Sequence, residues 1–118
     1  MSDKVAIVLM AGPEMPCRLM HTLIWALDIV QRGGEAKIVL EGESPRWLLE
    51  LPDPANGRHK LYRRVKEAGL IDGVCKGCAA VSGALDAAVA EGLPLLSDAS
   101  WHASLVPYLA AGFNVVTL

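Results

Sequence analysis

The apolar residues of this chain change their spacing repeatedly between the period of a strand and the period of a helix, and Gly or Pro stands at nearly every change. Short apolar runs predict five strands, which in chain order are Lys4 to Met10, Ala36 to Leu40, Ile71 to Cys75, Leu93 to Leu96 and Phe113 to Leu118. Strands that alternate with helices favour right-handed crossovers. The sequence therefore predicts an α/β fold with a mainly parallel five-stranded sheet covered on both faces.

The segments between these strands show helical spacing of their apolar residues. The first predicted helix begins after the Gly12-Pro13 turn and ends at Gly33-Gly34. Four further helices are predicted, over Arg46 to Leu51, Arg58 to Ala68, Cys78 to Ala90 and Ser100 to Ala111. The inward face of the first helix is predicted to carry Met20, Leu23, Ile24, Leu27 and Val30. In the fourth helix the stripe predicted to face the sheet is Cys78, Val81, Leu85 and Val89.

Length and hydropathy limit the size and setting of the protein. A chain of 118 residues suits one domain, over 1–118. Hydrophobic residues make up 53% of it and its mean hydropathy is +0.35, so part of the apolar surface is expected in a subunit interface. The apolar stretch from Val5 to Ala11 is too short to cross a bilayer, so we expect neither a membrane span nor a signal peptide.

Charge and cysteine content narrow the partners and the compartment. A net charge of −2 argues against a general nucleic-acid surface, because such binding needs clustered Lys and Arg. The basic stretch from Arg58 to Lys66 is a local exception, interpreted as a solvated face, with docking of an acidic partner or nucleic acid as the alternative. An odd count of three cysteines is typical of free thiols, so we expect a cytoplasmic protein.

Cys75 and Cys78 mark the junction between the third strand and the helix after it. Backbone N–H groups in the first turn of a helix lack intrahelical partners and favour a thiolate, the reactive form of cysteine. A spacing of three residues also brings the two sulfurs within reach of each other. Both residues are therefore candidate catalytic thiols, although Cys78 also fits an apolar stripe.

Other candidates lie in loops that follow predicted strands, where parallel sheets bind ligands. Asp98 precedes His102 by four residues and is expected to orient the imidazole or to cap the last helix, while His102 shuttles a proton or stabilises a thiolate. Trp101 either forms a wall of the pocket or packs against a partner subunit. Cys17 is a third thiol, a lining residue or a packing residue, and Gly12 stands in a loop without either phosphate-binding motif.

Over nearly its full length the chain resembles the DsrE family of sulfur-relay proteins, which includes TusD-like sulfurtransferase subunits. The resemblance rests on the order of the segments KVAIVLMAG, GGEAKIVLEGES, KEAGLIDGVCKGCA and EGLPLLSDASWHASLVPYLAAGFNVVTL. It implies a three-layer α/β/α sandwich that assembles into homotrimers, hexamers or mixed oligomers. It also implies that Cys75 receives sulfane sulfur from a donor protein as a persulfide and passes it to an acceptor protein. The run from Lys76 to Cys78 departs from the small residues that follow this cysteine in TusD-like proteins.

The function expected from this resemblance is sulfur relay by a persulfide on Cys75, with Cys78 as a resolving thiol and with no cofactor or resident metal. Three alternatives stay open. One is a CxxC dithiol-disulfide oxidoreductase. Another is a metal site formed by Cys75, Cys78 and His102 with Cys17 or Asp98 as fourth ligand. The third is a noncatalytic oligomeric subunit.

Overall fold

The computed structural model describes all 118 residues and confirms the α/β fold. The strands are β1 Lys4–Leu9, β2 Glu35–Leu40, β3 Ile71–Cys75, β4 Leu95–Leu96 and β5 Asn114–Thr117. The helices are α1 Pro16–Gln31, α2 His59–Glu67, α3 Lys76–Val81, α4 Leu85–Ala90 and α5 Val106–Ala110, and a 3₁₀ helix covers Ser44–Leu49. All strand pairs are parallel, in the order β4-β3-β2-β1-β5.

This strand order explains which helices cover each face of the sheet. From β1 to β4 the chain steps in one direction, so right-handed crossovers place α1, α2 and the α3–α4 pair on one face. The chain then returns to the opposite edge to form β5, and α5 lies on the other face. Alternate residues of β1 accordingly join two separate cores, Ile7 and Leu9 in the larger and Ala6 and Val8 in the smaller.

The two cores differ greatly in size. The larger has 20 buried residues, and its largest side chain, Trp47 of the 3₁₀ helix, donates its indole N–H to the Ala11 carbonyl at 3.0 Å. The smaller has five and is closed by Tyr108 of α5 and Phe113. Helix α5 is short and leaves Val106 largely exposed, so this face is only thinly covered.

Two predicted helical faces are wrong in part: Leu23 is buried and Leu27 and Leu85 pack against the larger core, but other predicted residues are exposed. In α1 the buried residues are Leu19, Thr22, Leu23 and Ala26, whereas Ile24 is 46% exposed. Thr22 is buried because its hydroxyl donates to the Arg18 carbonyl at 2.8 Å. An inward face that includes threonine and alanine is less apolar than the stripe that we predicted, so counting apolar side chains selects the wrong residues.

The predicted helix from Cys78 to Ala90 is in fact two helices, α3 and α4, separated by a turn. Gly83 adopts a φ of +72° in this turn, which ends α3. The predicted inward stripe is correct at Leu85, which packs against the larger core, and wrong at Val81 and Val89, which are 90% and 61% exposed. Ala79 and Ala88 pack into the larger core instead, since alanine allows a short helix to lie close to the sheet.

The last helix begins at Val106, six residues later than predicted. Ser100 and Trp101 have φ values of 51° and 73°, in the left-handed region that interrupts a right-handed helix. Ala99 and His102 pair across this turn as an antiparallel bridge. No helix combines the length and apolar character that a membrane span requires.

Candidate functional site

Cys75, Cys78 and His102 meet at the carboxyl edge of the sheet. Cys75 ends β3, Cys78 lies in α3, and His102 lies in the turn that follows β4. The Sγ atom of Cys75 is 3.2 Å from Nδ1 of His102, and that of Cys78 is 3.6 Å from the same nitrogen. The three donor atoms all lie within 4.8 Å of one another. The structure thus brings together the three residues that the sequence singled out for chemistry.

The turn from Ala99 to His102 delivers the imidazole to the two sulfurs. Ala99 and His102 exchange two backbone hydrogen bonds, of 2.9 and 3.0 Å. The N–H of Gly77 donates to the Trp101 carbonyl at 2.8 Å, which ties the turn to the start of α3. A Cβ at Gly77 would lie 2.6 Å from Cε1 of His102, so only glycine lets the ring rest on this backbone.

The surroundings of Cys75 differ from the sequence prediction. The residue stands at the N-cap position of α3, but its side chain makes no capping hydrogen bond, and α3 has only six residues. Cys75 is also completely buried, at 0% exposure. An accessible thiolate held by helix amides is therefore the wrong description. The thiol instead contacts the imidazole of His102, and it also interacts with the carboxyl group of Glu41 in a way that partly offsets the rise that burial causes in the pKa of that carboxyl.

Glu41 is the member of the site that sequence reasoning missed. It follows β2 directly, and β2 lies beside β3, so its carboxyl group reaches Cys75. Burial raises the pKa of Glu41, while the charge of His102 and a hydrogen bond with Cys75 act in the opposite direction. A carboxylate immediately after a buried strand was the available signal, but using it requires knowing that β2 and β3 are neighbours.

Cys78 is partly exposed and lies on the outer side of the cluster. Burial, and then its hydrogen bond with Cys75, raises the pKa of Cys78 to about 11, although a backbone hydrogen bond with Gly42 opposes this shift. Cys78 is therefore a protonated thiol at neutral pH.

Two of the other candidate residues have structural roles. Asp98 makes no ion pair with His102, and its Oδ1 instead accepts the backbone N–H of Ser104 at 3.0 Å, which fixes the turn before α5. Gly12 is buried where the loop after β1 packs against the turn after β2, and a Cβ there would lie 3.0 Å from Cβ of Glu43. Neither residue reaches the sulfurs.

The remaining two candidates lie outside the cluster. Cys17 is an exposed thiol near the start of α1. Trp101 is 66% exposed, and Nζ of Lys76 lies 5.1 Å from its ring centroid, so the two form an outer rim beside His102. The predicted fourth ligands of a metal site, Cys17 and Asp98, are thus not part of the group that Cys75, Cys78 and His102 form.

The arrangement supports two kinds of chemistry. An imidazole in contact with a thiol can accept its proton and so generate a nucleophilic thiolate. Two thiolates and an imidazole are also soft donors of the kind that bind thiophilic metal ions. Both depend on the same three atoms.

One curated protein shows clear similarity to the chain. It is the uncharacterized protein MJ0733 of Methanocaldococcus jannaschii, which is 32% identical over 106 residues, covering 90% of this chain and 84% of the relative. No protein-family model matches the chain, and no solved structure matches it.

Proposed function

This chain belongs to the family of the uncharacterized protein MJ0733, and we propose that it acts as a sulfur carrier that holds sulfane sulfur as a persulfide on Cys75. The observation that carries the proposal is the 3.2 Å contact between Sγ of Cys75 and Nδ1 of His102. The resemblance to DsrE relay proteins supports the same assignment, because it matches Cys75 with the sulfur-accepting cysteine of that family.

The transfer conserves electrons and needs no cofactor. His102 accepts the thiol proton of Cys75, and the resulting thiolate attacks the outer sulfur of a donor persulfide, R–S–SH. The donor S–S bond breaks, R–S⁻ leaves, and Cys75 carries –S–SH. An acceptor thiolate then attacks this terminal sulfur, and Cys75 departs as a thiolate. The sulfane sulfur keeps its oxidation state in both steps.

The burial of Cys75 adds a condition to this scheme. Its sulfur is buried and in contact with the exposed His102, so we propose that a donor reaches it when the turn that carries His102 moves outward. Because the imidazole accepts the proton before it moves, the thiolate is left behind for attack. The resting arrangement would protect the nucleophile from unspecific oxidation.

Cys78 determines whether the carried sulfur is kept or released. A Cys78 thiolate that attacks the inner sulfur of the Cys75 persulfide would form a Cys75–Cys78 disulfide and expel HS⁻, and an external dithiol would be needed to restore the site. The thiolate is the reacting form, and the raised pKa of Cys78, about 11, keeps it protonated at neutral pH. This favours carriage of sulfur over release of sulfide.

Intact-protein mass spectrometry after incubation with a small-molecule persulfide tests the proposal. The expected result is a gain of one sulfur atom that maps to Cys75, is absent from Cys75→Ser and persists in Cys17→Ser. Loss of two hydrogens without added sulfur would instead identify a dithiol-disulfide oxidoreductase. No change of mass would contradict the proposal and leave a metal site or a noncatalytic subunit as the function.

We further propose that the carrier is a cytoplasmic homo-oligomer, a trimer or hexamer, that meets separate donor and acceptor proteins. Support comes from the apolar side chains that α5 and the preceding turn leave exposed, namely Trp101, Leu105, Val106 and Leu109. Light scattering coupled to size-exclusion chromatography tests the assembly, and a monomer at micromolar concentration would contradict it.

A further inference from the structure

We infer that the cluster is also a binding site for one thiophilic divalent cation of the Zn²⁺ class, held by Sγ of Cys75, Sγ of Cys78 and Nδ1 of His102. The same site then has two exclusive ligands, a metal ion and a sulfane sulfur. This exclusion rests on the proposed function, whereas the metal site itself rests only on the geometry of the three donors.

The distances between the donors approach the edges of a zinc tetrahedron. With Zn–S bonds of about 2.3 Å and Zn–N bonds of about 2.0 Å, a tetrahedral site has S···N edges of about 3.5 Å and S···S edges of about 3.8 Å. The observed S···N distances are 3.6 Å for Cys78 and 3.2 Å for Cys75, and the two sulfurs lie within 4.8 Å of each other. A tetrahedral site would need the S···N distance of Cys75 to lengthen by a few tenths of an ångström and the S···S distance to change by no more than about 1 Å.

The sharing of a single nitrogen gives a second, independent argument. Nδ1 of a neutral imidazole offers either one lone pair or one N–H, so it can satisfy only one of the two sulfurs that point at it. Cys75 and Cys78 both approach this atom and leave Nε2 aside. A cation between the three atoms would satisfy all of them at once, which a hydrogen bond cannot do.

The position of the cluster suits both entry and retention of an ion. Cys78 is partly exposed and His102 is exposed, so an ion can enter from the solvent side. Cys75 is buried at the end of β3, so the innermost ligand is held in place, and Gly77 leaves room for the ring of His102 beside it.

Binding releases the protons of both thiols and changes no oxidation state. Each thiolate then donates a lone pair to the metal, and Cys75 is no longer free to attack a donor persulfide. A persulfide on Cys75 conversely removes one of the three ligands. Zinc occupancy would thus switch off sulfur carriage.

Metal binding can be measured directly on the reduced, chelator-treated full chain. Titration with Co²⁺ should give a sulfur-to-metal charge-transfer band that saturates at one ion per chain and disappears when Zn²⁺ is added. Competition with a chromophoric chelator should show that Cys78→Ser lowers Zn²⁺ affinity by at least about 100-fold, while Cys17→Ser leaves it unchanged. Absence of the band, or an equal loss in Cys17→Ser, would overturn the site.

Cys78→Ser is preferred to Cys75→Ser as the main variant because Cys75 is buried in the fold. Gly77→Ala provides a second variant, since its methyl group displaces the imidazole and keeps both thiols. It should retain a charge-transfer band but bind Zn²⁺ at least about 10-fold more weakly. Circular dichroism of both variants shows whether they are folded, and unchanged affinity in both folded variants would contradict the proposal.

A last measurement separates the metal site from the proposed function. Alkylation of Cys78 and persulfide loading of Cys75 are compared in metal-free and Zn²⁺-saturated protein, and both should be suppressed by the metal and restored by a chelator. If metal-free protein takes up no sulfur, the carrier function is wrong, and protection from alkylation still decides the metal site. If the Zn²⁺-saturated protein loads sulfur normally, the exclusion is wrong.

Discussion

The imidazole of His102 rests on the backbone of Gly77, where a Cβ would lie 2.6 Å from its Cε1 and 2.8 Å from its Nε2. This contact joins the CxxC segment to a turn some 25 residues further along the chain. Because a backbone hydrogen bond between Gly77 and Trp101 lies beside it, the glycine cannot simply retreat from the ring. The position between the two cysteines is therefore as specific a requirement of the site as the cysteines themselves.

Gly77→Ala should displace the imidazole while the sheet stays intact. We expect faster alkylation of Cys75, because the ring covers it, and slower persulfide loading, because the proton acceptor has moved. Timed alkylation followed by peptide mass spectrometry measures the first effect. The matched control is Gly57→Ala, since a Cβ at Gly57 meets nothing within 4 Å, and it should leave both rates unchanged.

His102→Gln should slow persulfide loading by about 100-fold, the lower end of the range for loss of a general base. The side chain of glutamine is uncharged and does not accept the thiol proton. The control is His21→Gln, because His21 is an exposed histidine of α1 whose ring contacts the Cys17 carbonyl rather than the site. Partial recovery of the rate with added imidazole would assign the effect to proton transfer, and equal rates in both variants would remove His102 from the mechanism.

Cys78→Ser should load sulfur as the unmodified chain does and should retain it longer. Serine cannot expel sulfide from the Cys75 persulfide, so the only remaining exit is transfer to an acceptor. Sulfide release is followed with a colorimetric trap, and Cys17→Ser is the thiol-matched control. Failure of Cys78→Ser to load would place the first nucleophile at Cys78 rather than at Cys75.

Trp47→Phe should lower the free energy of unfolding by about 1–3 kcal/mol, because it removes the donor to the buried Ala11 carbonyl and leaves that oxygen unpaired. Urea denaturation followed by circular dichroism measures the change. Trp25→Phe is the control, since Trp25 is 41% exposed on α1, and its effect should stay within about 0.5 kcal/mol. Equal effects would mean that the indole hydrogen bond contributes little.

The sequence predicted the five strands and the place of Cys75 at the end of β3. Strand β1 carries a continuous apolar run because most of it is buried. Strand β3 contains Asp72 and β5 is mostly exposed, so these two strands were predicted from their alternation with helices.

The sequence also selected His102, but through a partnership with Asp98 that does not exist. The actual partners of His102 are the sulfurs of the two cysteines. That pairing depends on the positive φ values of Ser100 and Trp101, which cannot be predicted from these residue types.

Glu41 shows a different limit of the same reasoning. Its carboxyl group joins the site only because β2 and β3 are neighbours in the sheet, and strand order is a property of the whole fold. The helix faces were misjudged for a local reason. Alanine and threonine contribute little to an apolar pattern, and yet Ala79, Ala88 and Thr22 are the residues that allow close packing.

Strand β4 pairs with β3 through only two residues, Val74 with Leu95 and Cys75 with Leu96. The segment that carries His102 is consequently held only by the two residue pairs of β4 on one side and by the five-residue helix α5 on the other. Because it has so few strand pairs, this segment is expected to have low local stability. Its amide hydrogens should exchange through local opening while those of the central strands stay protected. Native-state hydrogen exchange should therefore show that β4 and the turn after it open earlier than the rest of the sheet. A persulfide donor could then reach Sγ of Cys75 without unfolding of the core.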